Sequence, residues 1–187
     1  MCWNIARRGG ALGPLQEEAG VNEQRFWQLI DESRAAAGGA RDMASAGEQA
    51  EALEELLSRE APADIIDFER LFSACMARSY DWGLWGAAYV LNGGCSDDGF
   101  DYFRAWLIGQ GKKVFEAVLA YPDSLVDYVD DEVESEDLLS VASRAYEEQT
   151  GDELPTLTLE QPDEPRGEEW EEEELAERFP RLSARFG

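Results

Sequence analysis

Three carboxylates and one guanidinium raise the chemical question. Asp97, Asp98 and Asp101 open a helical pattern, and Arg104 follows them among aromatic residues. Asp97 and Asp101 are four residues apart, so one helix face carries both. Asp98 is three residues from Asp101, a neighbour on the adjacent turn. Three carboxylates so placed could bind Mg²⁺. One of them could also act as a general base, its pKa raised by the others. Acids gather at helix starts for a plainer reason too: they complement the dipole, at about 0.3–1 kcal/mol each. No motif sets a second acidic cluster opposite, so no metal and no cofactor are expected.

Arg104 lies between Phe103 and Trp106 on a pattern whose other positions read as buried. A buried guanidinium costs several kcal/mol unless it is paired. Asp97, Asp101 and the distant Asp123 are candidate partners. The functional reading is a clamp for an anion or carboxylate; the structural reading is a salt bridge joining helices. Tyr80, Trp82, Trp85, Tyr89, Tyr102 and Trp106 complete an aromatic set. Most read as core, while Trp82, Tyr102 and Trp106 are expected to line a cleft. The candidate binding residues are therefore Asp97, Asp98, Asp101, Tyr102, Arg104 and Trp106. No catalytic residue is assigned.

Composition removes several chemistries. The chain of 187 residues contains no His, so the commonest general base and the His-dependent triads and metal sites are absent. Cys2, Cys75 and Cys95 have no paired spacing, which fits reduced thiols in a cytoplasm. Asn92-Gly93-Gly94 lacks the Lys and the preceding strand of a phosphate loop. No apolar run nears the ~20 residues that span a bilayer. The net charge is −25, and from Asp123 onward it is −17. Such a field repels nucleic acid and anionic membranes and attracts a basic protein or peptide; it also simply keeps a protein soluble.

The elements that must position these residues are helical. Asn22 is expected to cap a first helix that ends at Gly38-Gly39. Ser45 and Glu48 read as the capping box of a second, and Pro62 starts a third. Tyr80-Asp81 opens a short aromatic helix that stops at Gly93-Gly94. Ser96 or Asp97 caps the helix of Arg104. Lys112 to Tyr121 and Ser135 to Gln149 follow as helices. Six to seven helices with short links predict an all-α orthogonal bundle over residues 22–151. Residues 152–168, acidic and Pro-containing, read as a linker. Residues 169–187 read as a tail helix and docking segment, with Trp170, Leu175 and Phe179 as anchors. Residues 1–21 read as a disordered arm or a mis-called start, with translation beginning at Val21.

Five blocks then carry a resemblance: Phe26-Trp27-Gln28-Leu29-Ile30, Leu84-Trp85-Gly86-Ala87-Ala88-Tyr89, Gly93-Gly94-Cys95-Ser96-Asp97-Asp98, Phe103-Arg104-Ala105-Trp106-Leu107-Ile108 and Pro122-Asp123-Ser124-Leu125. Together they resemble the bacterial family known as domain of unknown function 4240. The resemblance covers Asn22 to Leu125, and Trp170 to Phe186 more loosely. It implies a cytoplasmic bacterial protein with a docked tail, and it carries no activity. Two functions are in view. One is a protein-binding or regulatory module, toxin-neutralising for example, whose acidic surface holds a basic partner. The other is a small-molecule enzyme using Asp97, Asp98 and Asp101, with Arg104 as anion clamp.

Overall fold

The computed structural model describes residues 21–158 and 162–187. The expectations for residues 1–20 lie outside this range. Among the described residues there are nine α-helices and three short 3-10 segments. They are α1 (Glu23–Ala36), α2 (Met43–Leu57), α3 (Pro62–Arg78), α4 (Trp82–Asn92), α5 (Asp97–Gly109), α6 (Lys112–Ala120), α7 (Val141–Thr150), α8 (Leu175–Arg178) and α9 (Pro180–Phe186). The 3-10 segments are Pro122–Asp127, Asp137–Ser140 and Glu172–Glu174.

The fold is all-α, but an expectation of six to seven helices is too low. The added elements have local causes. Pro122 starts a separate 3-10 segment after α6. The stretch read as one helix from Ser135 begins as 3-10 and becomes α-helical only at Val141. In the tail, Pro180 pushes Phe179 out of the helical region, to φ −126° and ψ 63°, and splits the helix in two.

Among the described residues, local side chains cap four of the nine α-helices. Asn22 accepts from the Arg25 N–H, Asp81 from Gly83 and Leu84, and Ser96 from Gly99. At α2 the cap is Asp42, not Ser45. The Asp42 carboxylate accepts from the Ser45 N–H at 2.9 Å, and the Ser45 hydroxyl accepts from the Asp42 N–H. The box is therefore one turn earlier than Ser45–Glu48 implied, because a carboxylate there serves the same donors.

α5 is the central element. It touches α1, α2, α3, α4 and α6. Phe100, Phe103, Ala105, Trp106, Leu107 and Ile108 on it are all fully buried. Gly109 ends it where space is short: a Cβ there would lie 2.9 Å from Leu138 and 3.1 Å from Gln49. The Gln49 amide uses that closeness, donating to the Gly109 carbonyl at 2.7 Å.

The C-terminal segment lies along α4. Arg166 exchanges two backbone hydrogen bonds with Tyr80 and Trp82, at 3.0 and 2.8 Å. The Trp170 indole donates to the Trp82 carbonyl at 2.9 Å. Leu175, Phe179 and Leu182 are buried in the main core. Phe179 packs where α4 has no side chain, at Gly86. Within the run Glu168 to Phe179 only Glu172–Arg178 is helical.

Candidate functional site

α4 and α5 together build an aromatic ladder. Trp82 stacks on Trp85 at 5.3 Å, Trp85 on Phe100 at 4.8 Å, and Phe100 on Phe103 at 6.4 Å, with interplanar angles of 11–14°. Trp106 continues it at 5.8 Å from Phe103. Arg104 projects from α5 beside this ladder. Its guanidinium carbon lies over the rings of Tyr80 and Phe100, at 4.9 and 5.0 Å. One terminal nitrogen donates to the Met76 carbonyl at 2.6 Å and the other to the Asp101 carboxylate. The residue is only 7% exposed, and its Nε has no hydrogen-bond partner. Arg104 thus ties α5 to the end of α3. Both terminal nitrogens are spent on protein acceptors; the ion pair is with Asp101 of the same helix, not Asp97 or Asp123, so the tie between helices is the bond to the Met76 carbonyl and not a salt bridge.

A shallow recess of about 280 Å³ lies beside it, lined by Tyr80, Trp85, Asp97, Asp101, Arg104 and Pro162. The recess unites Asp97, Asp101 and Arg104 among the sequence candidates. Asp98 is exposed and outside the lining. Trp106 was expected in a cleft and is instead fully buried, three residues after Phe103 on the inward face of α5. Its indole donates to the Ala40 carbonyl at 3.0 Å, which satisfies its only polar group. Trp82 is half-buried against Trp85 and Trp170, away from the recess. Tyr102 is half-buried on a different side.

Among the described residues, no three His, Cys, Asp or Glu side chains gather as a metal site requires. Cys95 precedes the α5 cap, yet burial, helped by Glu134 and Asp97, pushes its thiol up to about 12. It is a poor nucleophile there. Lys112 is held by Glu23 at 2.7 Å.

The segment around Glu134 escaped the reading by motif. The Asn92 side chain pins it through both the N–H and the carbonyl of Val133, and the Ser135 N–H donates to the Tyr102 carbonyl at 3.1 Å. Glu134 then approaches the first turn of α5: a Cβ on Gly99 would lie 3.3 Å from its carboxylate oxygen. Asp97, Asp98, Glu134, Glu136 and Asp137 form no salt bridge among the described residues. Glu136, burial and Asp98, in that order, raise the Tyr102 hydroxyl above its ordinary value. The dense acids between Asp130 and Asp137 were the available signal for this face.

The chain belongs to the family described as protein of unknown function DUF4240, whose model matches residues 21–148. No curated protein and no solved structure matches it. Among the described residues, no helix is long and apolar enough to cross a membrane.

Proposed function

We propose that the protein is a binding module whose acidic face holds a basic region of another protein. One observation carries this: Asp98, Glu134, Glu136 and Asp137 lie around Tyr102 and form no salt bridge among the described residues. A patch of one sign focuses the field and steers an oppositely charged partner. The half-buried Tyr102 ring adds an amphipathic contact of the kind that interfaces favour. The apolar anchors of the tail are used internally, Leu175 and Phe179 against Gly86 of α4. The Arg104 fork, already occupied, weakens the case for an anion clamp in an enzyme.

The experiment is a capture comparison. Wild type and a variant with Asp98→Asn, Glu134→Gln, Glu136→Gln and Asp137→Asn are immobilised and exposed to lysate over a salt series. The expected result is a discrete basic protein retained by wild type, lost from the variant, and released as salt rises past the range where screening shortens below about 8 Å. Equal retention by both proteins would remove the reading.

A further inference from the structure

The C-terminal segment is held by the surface it lies on and not by the chain that leads to it. Its hydrogen bonds to the body are made at two places. At the start of α4, the Arg166 backbone meets Tyr80 and Trp82, and the Trp170 indole meets Trp82. At the 3-10 segment Pro122–Asp127, the Asp123 carboxylate accepts the backbone N–H groups of Arg181 and Leu182. α8 and α9 pack on α4, and α9 also on that 3-10 segment. Among the described residues, 153–158 and 162–165 make no backbone–backbone hydrogen bond. The groove also defines what fits it. Asp123 is 1% exposed, so its carboxylate needs the free N–H groups of a helix start. Gly86 leaves a space that Leu175 and Phe179 fill. Leu175 to Leu182 supplies the matching pattern, Leu-x-x-x-Phe-Pro-x-Leu, and Phe-Pro occurs once in the sequence.

We infer that the α4 groove also receives this segment from a second copy of the chain, by reciprocal exchange. The inference stands apart from the acidic-face reading. Each contact named above joins segment to groove, so each is kept when the two belong to different copies. The tether allows it: residues 152–165 span up to about 45 Å when extended, enough to cross a folded domain of this size. Pro155, Pro162 and Pro165 stiffen that stretch and favour its extension. Reciprocal exchange uses the same surfaces in both copies, so it closes as a dimer and does not run on as a filament. The balance between the two forms is set by protein concentration against the effective concentration of the copy's own segment. The net charge of −25 keeps copies apart, so salt favours the exchanged form.

The test pairs two full-length variants. One carries Gly86→Ala and Asp123→Ala, which spoil its groove and spare its segment. The other carries Phe179→Ala and Leu182→Ala, which spoil its segment and spare its groove. They are unfolded together in urea and refolded at about 1 mM, the range of a short tether's effective concentration. Light scattering after size exclusion gives the mass, at low and high salt. Mass spectrometry reads amide exchange at Leu182, which only the first variant has. Each variant alone is expected to be a monomer, with fast exchange at Leu182 in the first. Together they should form a heterodimer, more of it at high salt, with Leu182 exchange slowed at least roughly tenfold. A pair that stays monomeric overturns the exchange. So does a dimer in which Leu182 still exchanges fast, because the copies then meet on another face. Should either variant fail to fold, wild type refolded at the same concentration decides. It should yield a dimer that survives roughly thousandfold dilution, with Leu182 exchanging as slowly as in the monomer. Monomer alone, or a dimer that falls apart at once, overturns the inference.

Discussion

The Asp123 carboxylate accepts the backbone N–H of Leu182 at 3.0 Å, although 59 residues separate the two. It also accepts from the Arg181 N–H, at 3.1 and 3.2 Å to its two oxygens. Asp123 is 1% exposed, so these bonds replace water it has lost. One side chain from the 3-10 segment after α6 thereby caps α9, whose first turn has no capping side chain of its own. Asp123→Ala is expected to cost about 2 kcal/mol, the upper range for a lost cap with buried donors left over. Asp123→Asn, which keeps an acceptor, should cost less. Denaturant unfolding gives the loss, and faster hydrogen exchange at Leu182 would locate it; unchanged exchange there would count against this role.

Gly86 is the second hold on the tail. A Cβ added to it would lie 2.7 Å from Phe179 and 3.1 Å from Leu175. Gly86→Ala should therefore overpack the groove and destabilise docking by about 1–3 kcal/mol. Trp170 emission should move to longer wavelength, and proteolysis should accelerate within residues 163–174. Phe179→Ala is expected to relieve the clash, so the double variant should be more stable than the sum of the single losses predicts.

Arg104 and Asp101 make an unequal pair, with side chains 8% and 47% exposed. Removing the anion leaves a buried cation short of a partner, whereas removing the cation leaves a carboxylate that water can reach. The Met76 carbonyl would also keep a donor, because the Ser79 hydroxyl binds it at 3.0 Å. Asp101→Ala is thus expected to cost about 2–3 kcal/mol and Arg104→Met less than about 1 kcal/mol. The reverse order in urea unfolding would show that Arg104 does more than tie α5 to α3.

Glu69 makes stability depend on pH. Burial raises its carboxyl above the ordinary 4.5, and the Ser73 hydroxyl, donating at 2.8 Å, only partly opposes this. The folded state therefore holds this proton more tightly than the unfolded chain. The resulting stability is complete below pH 4.5 and is lost as pH rises through the folded value. Glu69→Gln cannot ionise and still accepts from Ser73. It should be more stable than wild type at pH 7 and equal to it well below pH 4.5. A constant difference across that range would exclude Glu69 as the cause.

Local rules made parts of this molecule legible before any coordinates. Asn22, Ser96 and Gly93 announce helix ends through side chain or φ alone, and α5 shows its apolar stripe by spacing. Arg104 among aromatics was legible as a buried ion in need of a partner. Asp101, three residues back on the same helix, was among the partners that spacing offers, but the bond to the Met76 carbonyl depended on where α3 ends and could not be read from spacing. Trp106 illustrates the same limit. Its indole looks like a recognition residue until the Ala40 carbonyl, 66 residues earlier, satisfies it in the core. Glu134 carries no motif at all. Only the pinning of residues 133–135 by Asn92 and Tyr102 brings it to the first turn of α5.

The groove at Gly86 also bears on how the chain is made. Synthesis runs from the N-terminus, so α4 and its stacked tryptophans are complete while Leu175, Phe179 and Leu182 are still to come. During that interval an apolar trough stands uncovered on a nearly finished body. The chain's own later residues must win it against any other apolar segment nearby. The many acids that precede Leu175 give that race a bias, since an anionic nascent chain repels its copies until the apolar anchors emerge.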